Sequence, residues 1–385
     1  PTTHHMAATE IRIELIHSLK ELDRYAAAWD DLAFADPRAQ PMLTHAWVAA
    51  YLEHRLMPGQ RWCCLVALEG DRFIGALPVV LERRRLLGLT RTLLRCPADL
   101  HTTLVDAVAV EGRSGDFWQA AVGAFDLVAP DWYALEMRRI LCSSPSVPAL
   151  RDSRHAAIAV IQPMGVGRYL PTTGSFDAYR ATLSKNFRNN LRKARKKLEA
   201  LDGVATEFIQ GEEASDAQLS RFADVEAASW KGHEGSAIAQ SEDLTAFYET
   251  LTRNLGKRGW LEWQFLSAEG KTIAANMTMR LGRSLILWKI SYDEAYAKVG
   301  PGSHLMERAI ERAFESDDID LVDVVTDLPW HGNWKLPSRA YCRVESYRRR
   351  ALPVGAGYLP LRLRLALRRM PALQALRRKL QRTTG

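Results

Sequence analysis

The 385-residue chain is 47% hydrophobic and 25% charged, the make-up of a globular protein rather than a disordered or fibrous one. Its length fits two or three domains. The net charge of +7 is uneven: residues 348–385 hold ten Arg, one Lys and no acid, so the +7 total leaves −4 for residues 1–347. No apolar run reaches the roughly 18 residues that span a bilayer. The opening residues show no apolar core of a signal peptide, so a cytoplasmic protein is expected, with peripheral contact to the inner membrane face through the basic tail. His4 and His5 fall in a run typical of expression vectors and enter no metal argument; no metal site is expected. Cys63, Cys64, Cys96, Cys142 and Cys342 form no Cys-x-x-Cys pair and read as reduced thiols.

In chain order, residues 11–16 alternate as a strand and residues 19–32 carry apolar positions at helical spacing. Thr44 is placed to cap a helix over 47–54. Three strands follow at 62–68, 72–81 and 86–94, the first two joined by Glu69-Gly70-Asp71. A helix over 117–125 and a strand over 132–137 complete the first half. Residues 151–174 contain Pro163, Gly165, Gly167 and Pro171, and a domain junction is expected there.

The second half repeats the pattern. One long helix is predicted over 176–201, a strand over 204–209, and helices over 219–230 and 244–257. Three consecutive strands follow at 260–267, 272–281 and 284–291, then a helix over 303–316 and a strand over 320–325. Both halves read helix, helix, three-strand meander, helix, strand. The shared order predicts a duplicated α/β unit. The expected domains are 7–165, 170–347 and a basic amphipathic tail, 348–385.

The segment Trp288–Met306 carries the clearest chemistry. A strand ends near Ser291, a loop holds Gly300-Pro301-Gly302, and a helix starts at about Ser303. The first N–H groups of a helix have no partner within it and attract anions. Gly300, Gly302, Ser303 and His304, with Lys298 nearby, are therefore a candidate pyrophosphate site. The segment is neither a Walker A loop nor G-x-G-x-x-G, and a plain strand-to-helix turn explains it equally well.

The run Leu183-Ser184-Lys185-Asn186-Phe187-Arg188-Asn189-Asn190-Leu191-Arg192-Lys193-Ala194, with Ser229-Trp230-Lys231-Gly232, Lys289, Tyr292-Asp293-Glu294 and Gly300-Pro301-Gly302, resembles the CelD-like acetyltransferase family of the GNAT superfamily. Thr44-His45-Ala46-Trp47 resembles the same group more weakly. The resemblance implies tandem GNAT-like domains, each a mixed, mostly antiparallel sheet flanked by helices, an acyl-CoA donor, an amine acceptor and a sheet parted to admit the thioester. Where that superfamily carries a basic residue ahead of its glycines, this chain has Ala297, with Lys298 one position on. Fem-type aminoacyl transferases share the duplicated architecture.

Thioester aminolysis needs a base and an oxyanion donor. Asp293 follows the central strand and is the favoured base; Glu234 and His233 sit in a glycine-containing loop, and His304 lies at the helix start. Lys289 interrupts an apolar strand and needs a carboxylate or ligand. Trp230, Lys231, Tyr292 and the basic-helix residues Lys185, Arg188 and Arg192 are candidate substrate contacts. In the tail, leucines alternate with arginines, which suits an anionic membrane or docking on the acidic body; specific DNA binding is not expected. The reading is an acyl-CoA-dependent N-acyltransferase with a lipid amine, such as a sphingoid base, as acceptor. An amino sugar of exopolysaccharide synthesis, a Fem-like aminoacyl-tRNA reaction and a non-catalytic binding module are the alternatives.

Overall fold

The computed structural model describes residues 10–152, 157–211, 216–229 and 238–369. They form two compact units. The first takes residues up to Ser18, Pro58–Met164 and Cys342 onward; the second takes Leu19–Met57 and Gly165–Tyr341. The units are thus not the contiguous blocks 7–165 and 170–347, and the described part of the tail, 348–369, belongs to the first unit. Residues 19–57 leave the first half because their apolar residues pack against the second unit's helix and sheet.

The first unit's strands are β1 (Ile11–Ile16), β2 (Arg61–Glu69), β3 (Arg72–Leu86), β4 (Leu89–Arg95), β5 (Val108–Ala109), β6 (Trp132–Leu141) and the first part of β7 (Ala157–Pro171). β1 to β4 form an antiparallel meander, and β6 joins β4 in parallel. The crossover is the helix Ser114–Val128, whose Phe117, Trp118 and Phe125 enter the core. Cys63–Leu68 of β2 are all buried, which explains an unbroken apolar run where a half-exposed strand would alternate.

The second unit repeats this topology. Its strands are β8 (Ala205–Gln210), β9 (Leu261–Ala268), β10 (Lys271–Leu281), β11 (Ser284–Tyr292) and β12 (Leu321–Asp323). β8 to β11 form the meander, and β12 joins β11 in parallel after the helix Pro301–Glu315. β12 is flanked by the second part of β7, antiparallel. The last strand, β13 (Ser338–Arg348), is next to β6 in strand order. Two meanders, each followed by a helix and a parallel strand, give the duplicated α/β architecture.

Local details differ from expectation for identifiable reasons. The helix over 19–32 is broken into Leu19–Leu22, a tight turn at Asp23–Tyr25, and Ala26–Ala35. The helix over 176–201 is two: Phe176–Thr182 and Lys185–Leu198. Ser184 adopts extended backbone and its hydroxyl accepts from the Phe187 N–H at 3.2 Å, so it caps the second helix instead of continuing the first. The units divide between Met164 and Gly165, inside the expected junction at 151–174, and most of that stretch is strand β7 rather than loop. Gly167 is required by close packing, because a Cβ there would lie 2.5 Å from the Val325 carbonyl oxygen and 2.6 Å from the Tyr341 ring. β13 has no counterpart in the sequence reading.

In the second unit, Thr44 caps the helix His45–His54: its hydroxyl accepts from Trp47 N–H at 3.2 Å and donates to the Pro41 carbonyl at 2.7 Å. Trp47, fully buried, meets Trp288 of β11 edge-on at 5.3 Å and Phe247 at 5.9 Å. Loss of a helix cap costs about 1 kcal/mol. Thr44→Ala is therefore expected to lower the thermal midpoint of the second unit by roughly 2–4 °C, measured by circular dichroism, whereas Thr44→Ser keeps it.

Candidate active site

The site begins with a parting of two strands. β11 and β12 pair only at Ser284–Leu321, Leu285–Val322 and Ile286–Asp323, yet β11 runs on to Tyr292. Along its other edge β11 stays paired with β10 as far as Ala274–Tyr292, with one register shift that leaves Trp288 as an extra residue. Such a bulge bends its strand. A cavity of about 300 Å³ lies beside the unpaired stretch, lined by Ile290, Ser291 and Tyr292 and by Leu328, Trp330 and Trp334 of the segment after β12.

Backbone direction along β11 follows from one bond. Asp293 N–H donates to the Ile273 carbonyl at 2.9 Å, toward β10. Alternation along a strand then turns the N–H and C=O of Tyr292 the other way, toward the parting. The Ser291 hydroxyl is buried, and among the described residues it has no hydrogen-bond partner.

The helix Pro301–Glu315 starts at the same place. Gly300 takes a left-handed conformation (φ 63°) that turns the chain into Pro301 at the first helical position, where the missing N–H costs nothing. The first N–H with an intrahelical partner is that of His304, donating to Gly300 at 3.0 Å. Those of Gly302 and Ser303 have no acceptor inside the helix, and both residues line the cavity. A Cβ on Gly302 would sit 3.0 Å from the Tyr292 ring, so glycine here lets ring and helix start approach. The helix is anchored by buried Glu307, which pairs with Arg195 at 2.6 Å and Arg180 at 3.1 Å.

Of the predicted pyrophosphate residues, Gly302 and Ser303 border the cavity and Gly300 builds the turn. Lys298 is exposed and does not line it. His304 is half-buried, and burial followed by the nearby Arg195 charge lowers its pKa, which favours the neutral ring. Tyr292 lines the cavity. Lys185 and Arg192 are exposed on the basic helix, and Arg188 donates to the Ala181 carbonyl at 3.0 Å; from that helix it is Phe187 that reaches the cavity. Trp230, Lys231, His233 and Glu234 lie outside the described residues.

Asp293 is placed differently from the favoured reading. One carboxylate oxygen accepts from Ala295 N–H at 2.9 Å, capping the turn Glu294–Val299, and the other meets Lys271 at 3.3 Å. It is a cap beside the cavity, absent from its lining. Lys289 is buried, 2.7 Å from Glu226 and 5.1 Å from the Tyr248 ring. Burial lowers its pKa while Glu226 pulls it back up. The ion-pair reading of Lys289 is the one the geometry gives.

Several lining groups were not singled out from sequence. Asn276 faces the cavity and donates to Gln264 at 3.0 Å; Gln264 donates to Glu262 at 2.8 Å; Glu262 pairs with Arg312 at 3.0 Å. Polar residues at alternate positions of otherwise apolar β9 and β10 were the available signal. Ser229, Ser291 and Asn333 complete the polar lining. No described lining residue is a carboxylate or a cation.

Residues 185–335 match the family model described as an acetyltransferase (GNAT) domain. The second unit has a GNAT fold. Across the whole chain the fold is similar to a solved structure of FemX, at 10% identity and TM-score 0.55, covering 86% of this chain and 96% of that one. It is also similar to the C-terminal DUF2156 domain of a protein assigned as a lysylphosphatidylglycerol synthetase from Agrobacterium fabrum, at 10% identity and TM-score 0.52, covering 87% and 93%. No curated protein sequence matches the chain. The GNAT match includes β8 to β12 and the helix Pro301–Glu315, the elements that frame the parting. No described helix is long and apolar enough to cross a membrane.

The cavity's far wall depends on buried His331, whose Nδ1 accepts from the Leu328 N–H at 3.1 Å. Burial holds its pKa down at about 4. An unfolded histidine binds a proton that the folded one refuses, so stability is complete above about pH 6.5 and falls as the pH drops toward 4. Asp30, pushed up to about 6 by burial, titrates with the opposite sign. Comparison with His331→Gln isolates the histidine: the variant's thermal midpoint is expected to fall less than the wild type's between pH 7 and pH 5.

Proposed function

We propose that the second unit transfers an acyl group from a coenzyme A thioester to an amine, as CelD-like N-acyltransferases are expected to do. The observation that carries this reading is the cavity at the parted strands. It has a helix start with two N–H groups that no acceptor within the helix meets on one side and an outward-turned strand amide on the other. The pyrophosphate of the donor would rest on the N–H groups of Gly302 and Ser303. The thioester would then lie in the parting, with its carbonyl oxygen toward Tyr292 N–H.

The amine nitrogen attacks the thioester carbon, and the oxygen takes up negative charge that Tyr292 N–H would stabilise. Collapse of that intermediate breaks the C–S bond and expels coenzyme A as the thiolate, which takes up a proton. The amine must lose its own proton on the way. Asp293 has both oxygens engaged, so we assign this role to Glu234, with His233 as the other candidate in that segment. Ser291 and Asn276 are suited to orient the acceptor. An apolar cavity wall of Leu328, Trp330 and Trp334 favours an acceptor with a hydrocarbon portion, and we propose a lipid amine of the sphingoid-base kind over an amino sugar.

Fold similarity to FemX keeps an aminoacyl-tRNA donor as the competing reading. A ligand that binds only the folded state raises the thermal midpoint. Acetyl-, octanoyl- and palmitoyl-CoA are expected to raise it and tRNA to leave it unchanged. A shift with tRNA alone would move the assignment to the Fem-like reaction, and no shift with any thioester would remove the donor. Gly302→Val should abolish the thioester shift by closing the approach to Tyr292. In the transfer assay, Glu234→Gln should lower kcat by about 10²–10⁴-fold with KM little changed. Asp293→Ala should lose stability by about 1 kcal/mol and keep turnover within a few-fold; the reverse pattern would return the base to Asp293.

A further inference from the structure

Among the exposed apolar side chains of the first unit, which include Leu100 and Leu127 elsewhere, two groups lie close to one another. One is the β3–β4 turn, Leu86-Leu87-Gly88-Leu89, where Leu87 is 79% and Leu89 49% exposed. Leu87 takes a left-handed backbone (φ 49°), a conformation that costs a leucine about 1–2 kcal/mol and that asparagine or glycine adopts more readily. An exposed, strained leucine at a hairpin tip does nothing for the fold.

The other is the helix Leu359–Arg369. Leucine at every second position places two stripes on opposite faces of a helix. Leu361 and Leu365 pack against Leu93, Ala134, Val160 and Tyr347. Leu359, Leu363 and Leu367, at i, i+4 and i+8, are 54%, 62% and 40% exposed.

The two places adjoin. β4 leaves the tip at Leu89, passes Arg91, and reaches Leu93 beneath the helix roughly 13 Å further on. Arg91 borders one cleft with Arg348, Arg350, Leu352 and Pro353. Arg85, Arg349, Arg362 and Arg364 are exposed around the leucines, while Arg83 and Arg84 are paired with Asp131 and Glu82. Residues 348–385 contribute no acid.

We infer that this side of the first unit docks on an anionic phospholipid surface, inserting the hairpin tip and the outer leucine stripe between lipid headgroups while the arginines meet phosphate. Apolar side chains rimmed by arginine suit the interface between headgroups and acyl chains. A nucleic acid would call for exposed aromatic rings to stack on bases, and Tyr358 packs instead against Tyr347 at 6.2 Å. The inference is independent of the transfer chemistry.

The test is co-sedimentation of the full chain with phosphatidylcholine vesicles, with and without phosphatidylglycerol, at low and high salt. Binding is expected only with phosphatidylglycerol, weakening with salt. Leu87→Asn with Leu89→Thr, and separately Leu363→Gln with Leu367→Gln, should each weaken it about tenfold. All four side chains are exposed, so the thermal midpoint should not fall, and Leu87→Asn should raise it by relieving the left-handed leucine. Absence of vesicle binding, equal binding of both variants and wild type, or preferential binding of RNA over vesicles would each overturn the inference.

Discussion

The parting of β11 from β12 is the constraint around which the second unit is arranged. Two parallel strands in a buried sheet would ordinarily satisfy each other's backbone along their length, because an unpaired buried N–H or C=O is costly. Here pairing stops after three residue pairs, and the neighbouring structure must hold the strands apart. The extra residue at Trp288 bends β11, and Trp47 and Phe247 pack around that point from one face. Beyond the strand's end the helix Pro301–Glu315 is fixed by Glu307 between two arginines. Removal of any of these supports would favour closing of the strands, which is the lower-energy arrangement for the backbone.

That arrangement was partly legible in the sequence. The meanders, their glycine turns, the Thr44 cap and the glycine start of the helix at 300–302 all follow from interactions within a few residues, and local chemistry determines them. Asp293 shows the limit of that reasoning. Its position after a central strand suits a catalytic base and a cap equally, and only the placement of Ala295 N–H and Lys271 distinguishes the two. The Asn276, Gln264 and Glu262 series was visible as polar residues in apolar strands. Its meaning depends on register, since the three align only when β9 and β10 pair as they do.

What the sequence could not express is exchange between distant segments. Helices at 19–57 serve the second unit, and residues from 342 onward serve the first. The glycines and prolines of 151–174 read as a domain junction, and the units divide there, but the stretch is strand β7, which uses Gly167 to admit the Tyr341 ring. Composition reports that a backbone position must be small; it does not report whether the reason is freedom or crowding. The tail shows the same ambiguity in another form. Alternating leucines suggest a single amphipathic face, but at helical pitch they divide into two, and one of them is taken up by Leu93 and Tyr347.

The buried pair Lys289–Glu226 bears on how the site is held together. Placing both charges in the interior is expensive, and such a pair seldom adds net stability. Glu226 also bonds elsewhere, because its other oxygen accepts from Ile238 N–H at 2.8 Å. The carboxylate therefore ties the central strand β11 to the chain just after residues 230–237. Loss of Glu226 would leave a buried ammonium without its partner and release Ile238 together. A hydrophobic substitute at both positions could fill the volume, but it could not make that link. The pair thus fixes Ile238 relative to β11.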